Sequence, residues 1–179
     1  MTDAYYPPPG FHFTLTVLGS ATALSLLTGT DAAFQEISGI QATKQSEEVV
    51  EGGENRFVHR LPKQTKYSNL VLKRGAVVGD SFLVEWAGLT VGASLCIPVV
   101  TQNILVTLLG ESGIPLIAWA FVNAYPVKTD IAGLNAMDNK ILIESLELSY
   151  NYYERVNLGG LASAAVQIAS LAARLATMN

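Results

Sequence analysis

NILVTLLGESGIPLIAWAFVNA, residues 103–124, reads as two apolar strands around a turn. Residues 103–109 alternate, Gly110 to Gly113 supplies the turn, and residues 115–124 form the return strand. Tyr125 and Pro126 follow, and a proline has no N–H for a central ladder, so the strand is expected to break there. Working outward, residues 141–151 alternate again. Ile141, Ile143, Ser145 and Glu147 fall on one side, and Leu142, Leu146, Leu148 and Tyr150 on the other. Residues 11–17 place Phe11, Phe13, Leu15 and Val17 on one face and His12, Thr14 and Thr16 on the other, which makes His12 a solvated or interface histidine. Residues 34–43 form a strand interrupted at Ser38 and Gly39, where glycine points to a bulge or a close backbone approach. Residues 67–74 form a further strand. Asp80 can cap a helix over residues 80–89 that buries Phe82, Leu83, Trp86 and Leu89. These elements imply a mainly β (α+β) chain, an antiparallel β-barrel or sandwich with one central helix, an extended hairpin arm and a C-terminal helix.

The arm is the segment KQSEEVVEGGENRFVHRLPKQTK, residues 44–66, which gathers nine of the chain's 26 charged residues into 23 positions. Glu47, Glu48, Glu51 and Glu54 come first, and Arg56, His59, Arg60, Lys63 and Lys66 follow. Gly52 and Gly53 lie between two short β-capable runs, which predicts a long polar hairpin. Its role is either a solvated protrusion or an arm whose acidic and basic halves meet complementary charges on a neighbouring subunit. After Gly159 and Gly160, Leu161, Ile168, Leu171, Leu175 and Met178 make an apolar stripe, with Ser163, Gln167, Ser170, Arg174 and Thr177 on the other face. That pattern is an amphipathic helix of small residues, able to approach another element closely. The organisation is therefore a β domain over residues 1–157 and a helical extension over residues 158–179.

Composition narrows the class. Of 179 residues, 50% are hydrophobic and only 15% charged, with a net charge of −4. A disordered chain would show the opposite balance. Apolar surface left uncovered by charge is normally covered by a partner, so an oligomer is expected. No basic cluster marks specific nucleic-acid recognition. The start MTDAYYPPPG has neither the basic nor the apolar region of a signal peptide, and no uninterrupted run of apolar residues is long enough for a membrane-spanning helix.

Catalytic patterns are absent from the reading. His12, His59 and Cys96 show no metal-ligand spacing, and Cys96 among Leu95, Ile97 and Pro98 reads as a small buried hydrophobe. There is no nucleophile elbow, phosphate loop or dinucleotide fingerprint. The carboxylate pairs Glu47 with Glu48 and Glu144 with Glu147 read as solvated groups. The expectation is a non-enzyme with no cofactor and no metal.

Taken in order, several blocks resemble the tail tube proteins of contractile phages and related contractile injection systems. They are Phe11-His12-Phe13; Ala33-Phe34-Gln35-Glu36-Ile37-Ser38-Gly39-Ile40; Leu61-Pro62; Tyr67 through Lys73-Arg74-Gly75; Gly79-Asp80 leading to Trp86; Trp119-Ala120-Phe121-Val122-Asn123-Ala124-Tyr125-Pro126-Val127-Lys128; and Ile143 to Leu148. The resemblance spans residues 10–155 and is most specific at Lys73-Arg74-Gly75 and Asn123-Ala124-Tyr125-Pro126. It implies a small β-barrel with one helix, similar to the haemolysin-coregulated protein of type VI secretion. It also implies stacked hexameric rings inside a sheath, sheath and baseplate proteins as partners, and an effector or DNA as lumen cargo. Assembly in the bacterial cytoplasm into a phage-tail-like particle follows from the same likeness. Residues 44–66 fall where such proteins carry an extended hairpin against adjoining subunits, so Glu47, Glu48, Glu51, Glu54, Arg56, His59, Arg60, Lys63 and Lys66 become the expected inter-subunit contacts. The segment over residues 18–32 and the helix from Leu161 both exceed the family pattern, which makes a specialised baseplate-proximal ring the alternative. From another class, a small-ligand-binding β-barrel would need an apolar cavity and an uncharged mouth.

Overall fold

The computed structural model describes residues 13–18, 34–53, 56–76, 81–92, 98–110, 113–134, 137, 141–157, 170, 173 and 174. Phe11, His12, Asp80, Cys96, residues 19–33 and most of the segment expected as a C-terminal helix lie outside them. In chain order the elements are β1 (Phe13–Leu18), β2 (Phe34–Ser38), β3 (Ala42–Val49), β4 (His59–Tyr67), β5 (Leu70–Gly75), α1 (Phe82–Val91), β6 (Gln102–Leu109), β7 (Pro115–Ile131), β8 (Ile143–Ser149) and β9 (Tyr152–Asn157).

The strands are antiparallel and run β1-β6-β7-β8-β5-β2, with β9 added to β7 and β3-β4 forming a separate two-stranded sheet. The path does not close β1 onto β2, so the expected barrel or sandwich is an open, sandwich-like fold. β7 makes this possible. Its first part pairs with β6 and β9, and from Tyr125 onward it pairs with β8. The sheet through β1, β6, the first part of β7 and β9 thus faces the sheet through β2, β5, β8 and the rest of β7.

The core lies between them. Leu15 and Val17 of β1, Leu70 and Leu72 of β5, Ile104 and Val106 of β6, Phe121 of β7 and Leu148 of β8 are buried together with Leu83 and Trp86 of α1. Removing such surface from water is the main favourable term, about 25 cal/mol per Å² of apolar area.

Several local expectations are corrected. Pro126 does not end the strand: β7 continues to Ile131, with a bulge between Pro126 and Lys128. Beyond Ala124 neither β6 nor β9 pairs with β7, so the missing N–H sits in a singly paired, bulged stretch that tolerates it. Just upstream, Asn123 has φ +53°, and its N–H donates to Asn103 Oδ1 at 3.0 Å, where the strand passes from one sheet to the other. The strand expected over residues 67–74 is divided at Ser68 and Asn69 between β4 and β5. In α1 the buried residues are Leu83, Trp86 and Ala87, while Phe82 and Leu89 are exposed. β6 does not alternate in burial: Asn103 to Leu108 are all buried, because both faces of the strand are covered. Tyr152 to Asn157, which no period-two pattern marked, form β9.

Tyr150 lies in an aromatic group with Phe121, whose ring centroid is 4.9 Å away. Its hydroxyl is buried and has no hydrogen-bond partner among the described residues. Burial, with smaller contributions from Tyr153 and Tyr67, pushes the phenol from 10 up to about 12. Tyr150→Phe is therefore expected to stabilise the fold by about 1 kcal/mol at neutral pH, since an unsatisfied polar atom leaves the core. The unfolded phenol ionises near pH 10 and the folded one near 12, so wild-type stability falls across that window. The variant should lack this component of the fall. Urea unfolding of both proteins at pH 7 and pH 11 measures both effects.

Candidate functional site

The hairpin of β3 and β4 stands apart from the sandwich and is exposed along nearly its whole length. At its base Gly39 has φ +88°, a conformation that favours glycine, and a Cβ there would lie 2.0 Å from the backbone oxygen of Asn69. The close approach allows Ser68 Oγ to donate to Gly39 O at 2.7 Å, while Gln41 O accepts from Ser68 N at 3.2 Å. Asn69 Nδ2 donates to Glu147 Oε1 of β8 at 2.8 Å. The arm leaves the body from a backbone clamp.

Along the arm the acidic and basic halves meet each other. Arg60 Nε lies 3.2 Å from Glu48 Oε1, Lys63 Nζ 3.1 Å from Glu47 Oε2, and His59 Nε2 3.4 Å from Glu51 Oε1. Glu48 and Arg60 are directly opposed across the ladder. Of the other expected contact residues, Arg56 and Lys66 are exposed, and Glu54 lies outside the described residues. Exposed pairs of this kind contribute at most about 1 kcal/mol each.

Sequence reasoning missed the apolar part of the same surface. Val49, Val50, Phe57, Val58 and Leu61 are all exposed, with Val50 at 75% and Phe57 at 52%. The signal was present as the doublets Val49-Val50 and Phe57-Val58 on either side of Gly52-Gly53. Further apolar surface lies on the outward side of α1, at Phe82, Val84, Leu89 and Val91, at Ile131 where β7 ends and at Leu134 beyond it.

The ends of the strand path are β1 and β2. β2 carries charge at its edge: Lys73 Nζ donates to Glu36 Oε2 at 2.9 Å, and this hydrogen bond holds the Glu36 carboxyl below its ordinary range. Such charge guards an edge against unselective pairing. Glu144 is not the solvated group expected. It accepts from Arg74, whose side chain is only 6% exposed, while Glu147 accepts from Asn69. A cavity of about 230 Å³ lies beneath α1, bordered by Phe34, Leu72, Arg74, Leu83 and Leu146. Among the described residues no group of three or more His, Cys, Asp or Glu could hold a metal ion, and no helix is long and apolar enough to cross a membrane.

Comparison with known proteins agrees with this sandwich-like fold. A chain in the six-fold symmetrised structure of the anti-feeding prophage baseplate is 27% identical, at a TM-score of 0.69, with 85% of this chain and 97% of that one covered. A chain of the sheath-tube complex of an extracellular contractile injection system, PVC, is 22% identical at a TM-score of 0.69, covering 86% and 94%. Hcp1 of Flavobacterium johnsoniae shares the fold at 15% identity and a TM-score of 0.50, covering 82% and 96%. No curated protein matches the chain in sequence. The model of the T4-like virus tail tube protein gp19 matches residues 9–154, and the chain belongs to that tail tube family.

Proposed function

We propose that this chain is a non-enzymatic subunit of the inner tube of a contractile tail or injection apparatus. It forms hexameric rings that stack, and the lumen conducts cargo when the sheath contracts. Sheath and baseplate proteins are its partners, and the particle assembles in the bacterial cytoplasm. The observation that carries this reading is the hairpin: a long arm, clamped at its base, with satisfied charges along its length and an apolar tip offered to solvent. A monomer gains nothing from such a tip, whereas a neighbouring copy can bury it. Contacts between unlike surfaces close into rings when the rotation closes and continue as filaments when it does not. Free sheet edges supply a second means of joining copies, by strand addition.

A baseplate-proximal or terminal ring is the second reading, supported by the likeness to chains in the anti-feeding prophage baseplate and cap structures. The net charge of −4 suits a wall that repels nucleic acid rather than binding it.

Negative-stain electron microscopy, with mass photometry over a concentration series, tests the proposal. Hexameric rings that stack into tubes are the expected result. Rings that never stack select the end-of-tube reading. A uniform 19.1 kDa species at every concentration would overturn both.

A further inference from the structure

The sheet that carries the arm has two unlike ends. β2 runs from Phe34 to Ser38 into the clamp at Gly39, and β5 starts beside that clamp at Leu70 and runs away from it to Gly75. The arm therefore leaves one end of the sheet. The groove beneath α1 lies at the other. Phe34, Arg74, Glu144 and Ile131 follow one another in a single row across β2, β5, β8 and β7, and all four border the groove. Leu72, Leu83, Val84 and Leu146 give it apolar walls. It opens at the surface beside Val84 and Ile131, which are 50% and 64% exposed.

The surfaces at the two ends match. The arm tip offers Val50 and Phe57, both exposed. An apolar cavity stays dry and takes up an apolar ring, and about 150 Å³ suffices for benzene. At about 230 Å³ the groove has room for the Phe57 ring and part of a neighbouring valine. Charge agrees with size. Arg74 and Glu144 neutralise each other, so the border of the groove takes its sign from Asp130. Arg56, exposed beside Phe57, brings the opposite sign, while Glu51 faces His59 of its own hairpin. In the single chain the hairpin is exposed along nearly its whole length rather than folded back over the sheet, so its own groove does not receive the tip.

We propose that the arm tip of one copy, anchored by Phe57 and Val50, seats in the groove beneath α1 of a second copy. The proposal rests on the reading of this chain as a self-assembling subunit, and it gives the apolar tip a defined receptor. Because the two surfaces sit on unlike ends of one sheet, the contact is head to tail. Each copy receives one arm and offers another, so the contact repeats from copy to copy.

Photocrosslinking and a groove variant test it. With p-benzoylphenylalanine in place of Phe57, isotopically light and heavy protein are mixed, assembled and irradiated. Adducts should join light chains to heavy ones and fall on α1 or on the end of β7. Gly88 supplies the second measurement. It borders the groove from α1, and a Cβ there would have nothing within 4 Å. Gly88→Leu thus adds a side chain at the groove without a clash and with better helix propensity. Its Tm should not fall, while self-association read by mass photometry should weaken at least about tenfold. Rings or tubes whose adducts map elsewhere, or lie within one chain, would overturn the groove assignment and leave the tube reading standing. Wild-type association of Gly88→Leu would do the same. A chain that stays monomeric at every concentration would overturn both.

Discussion

Arg74→Ala should destabilise the protein by about 3–5 kcal/mol, roughly 6–20 °C in Tm. The residue is 5% exposed, and its guanidinium ties β5 to three other elements. From β5 it donates through Nε to Glu144 of β8 and through Nη2 to Ser81 Oγ at 2.8 Å, at the start of α1. It also lies 5.7 Å from the ring centroid of Phe34 in β2. Removing it leaves the mostly buried Glu144 carboxylate without its cation, and that residual charge carries most of the cost. Arg74→Lys should recover little, because a point ammonium cannot serve Glu144 and Ser81 in the fixed fork that the guanidinium provides. Arg74→Met combined with Glu144→Leu should recover most of the loss, since both charges leave together. Urea unfolding of the three variants beside the wild type decides it. A loss under 1 kcal/mol for Arg74→Ala would show that the network does not hold the two sheets and the helix together.

The second large effect is on assembly rather than folding. Val50→Asp together with Phe57→Asp should abolish ring and tube formation, while thermal unfolding of the subunit stays within about 0.5 kcal/mol of wild type. Both residues are exposed in the single chain, so charging them does not burden the fold. At an interface each would be an apolar anchor, and truncating such an anchor costs about 2 kcal/mol or more, roughly thirtyfold in affinity apiece. Glu48→Gln with Arg60→Gln should by contrast weaken assembly only slightly, since that pair is exposed and already satisfied within the hairpin. Mass photometry over a concentration series separates the cases. Loss of rings in the charge variant and their retention in the apolar one would transfer the binding energy to the ion pairs.

This contrast marks what could be read from the chain and what could not. The hairpin itself was legible, because Gly52-Gly53 between β-capable runs admits few alternatives. The partners of its charges were not, since composition cannot distinguish a Glu48 that meets Arg60 across its own ladder from one that waits for a neighbour. The β6-β7 pair was legible from the Gly110 to Gly113 turn, in which Gly110 N donates to Ile114 O at 2.8 Å. The length of β7 was not. Pro126 forbids a doubly paired strand, and nothing local reveals that β7 changes partners one residue earlier. β9 escaped because Tyr152 and Tyr153 are both aromatic and half-buried, one against each face of the sheet, which erases the alternation. In α1, Phe82 and Leu89 looked like core because an exposed apolar residue has the same chemistry as a buried one.

The passage of β7 through both sheets also has a mechanical meaning. Its 17 residues, at about 3.3 Å each, give a continuous tie with a contour of roughly 55 Å. If an axial load reaches one sheet, it passes to the other along covalent backbone and does not depend on friction between the core side chains. The ladders beside β7 would then resist in shear, many hydrogen bonds at a time, instead of opening one by one. Stiffness along the tie and compliance across the sandwich would suit a wall that must drive forward without buckling.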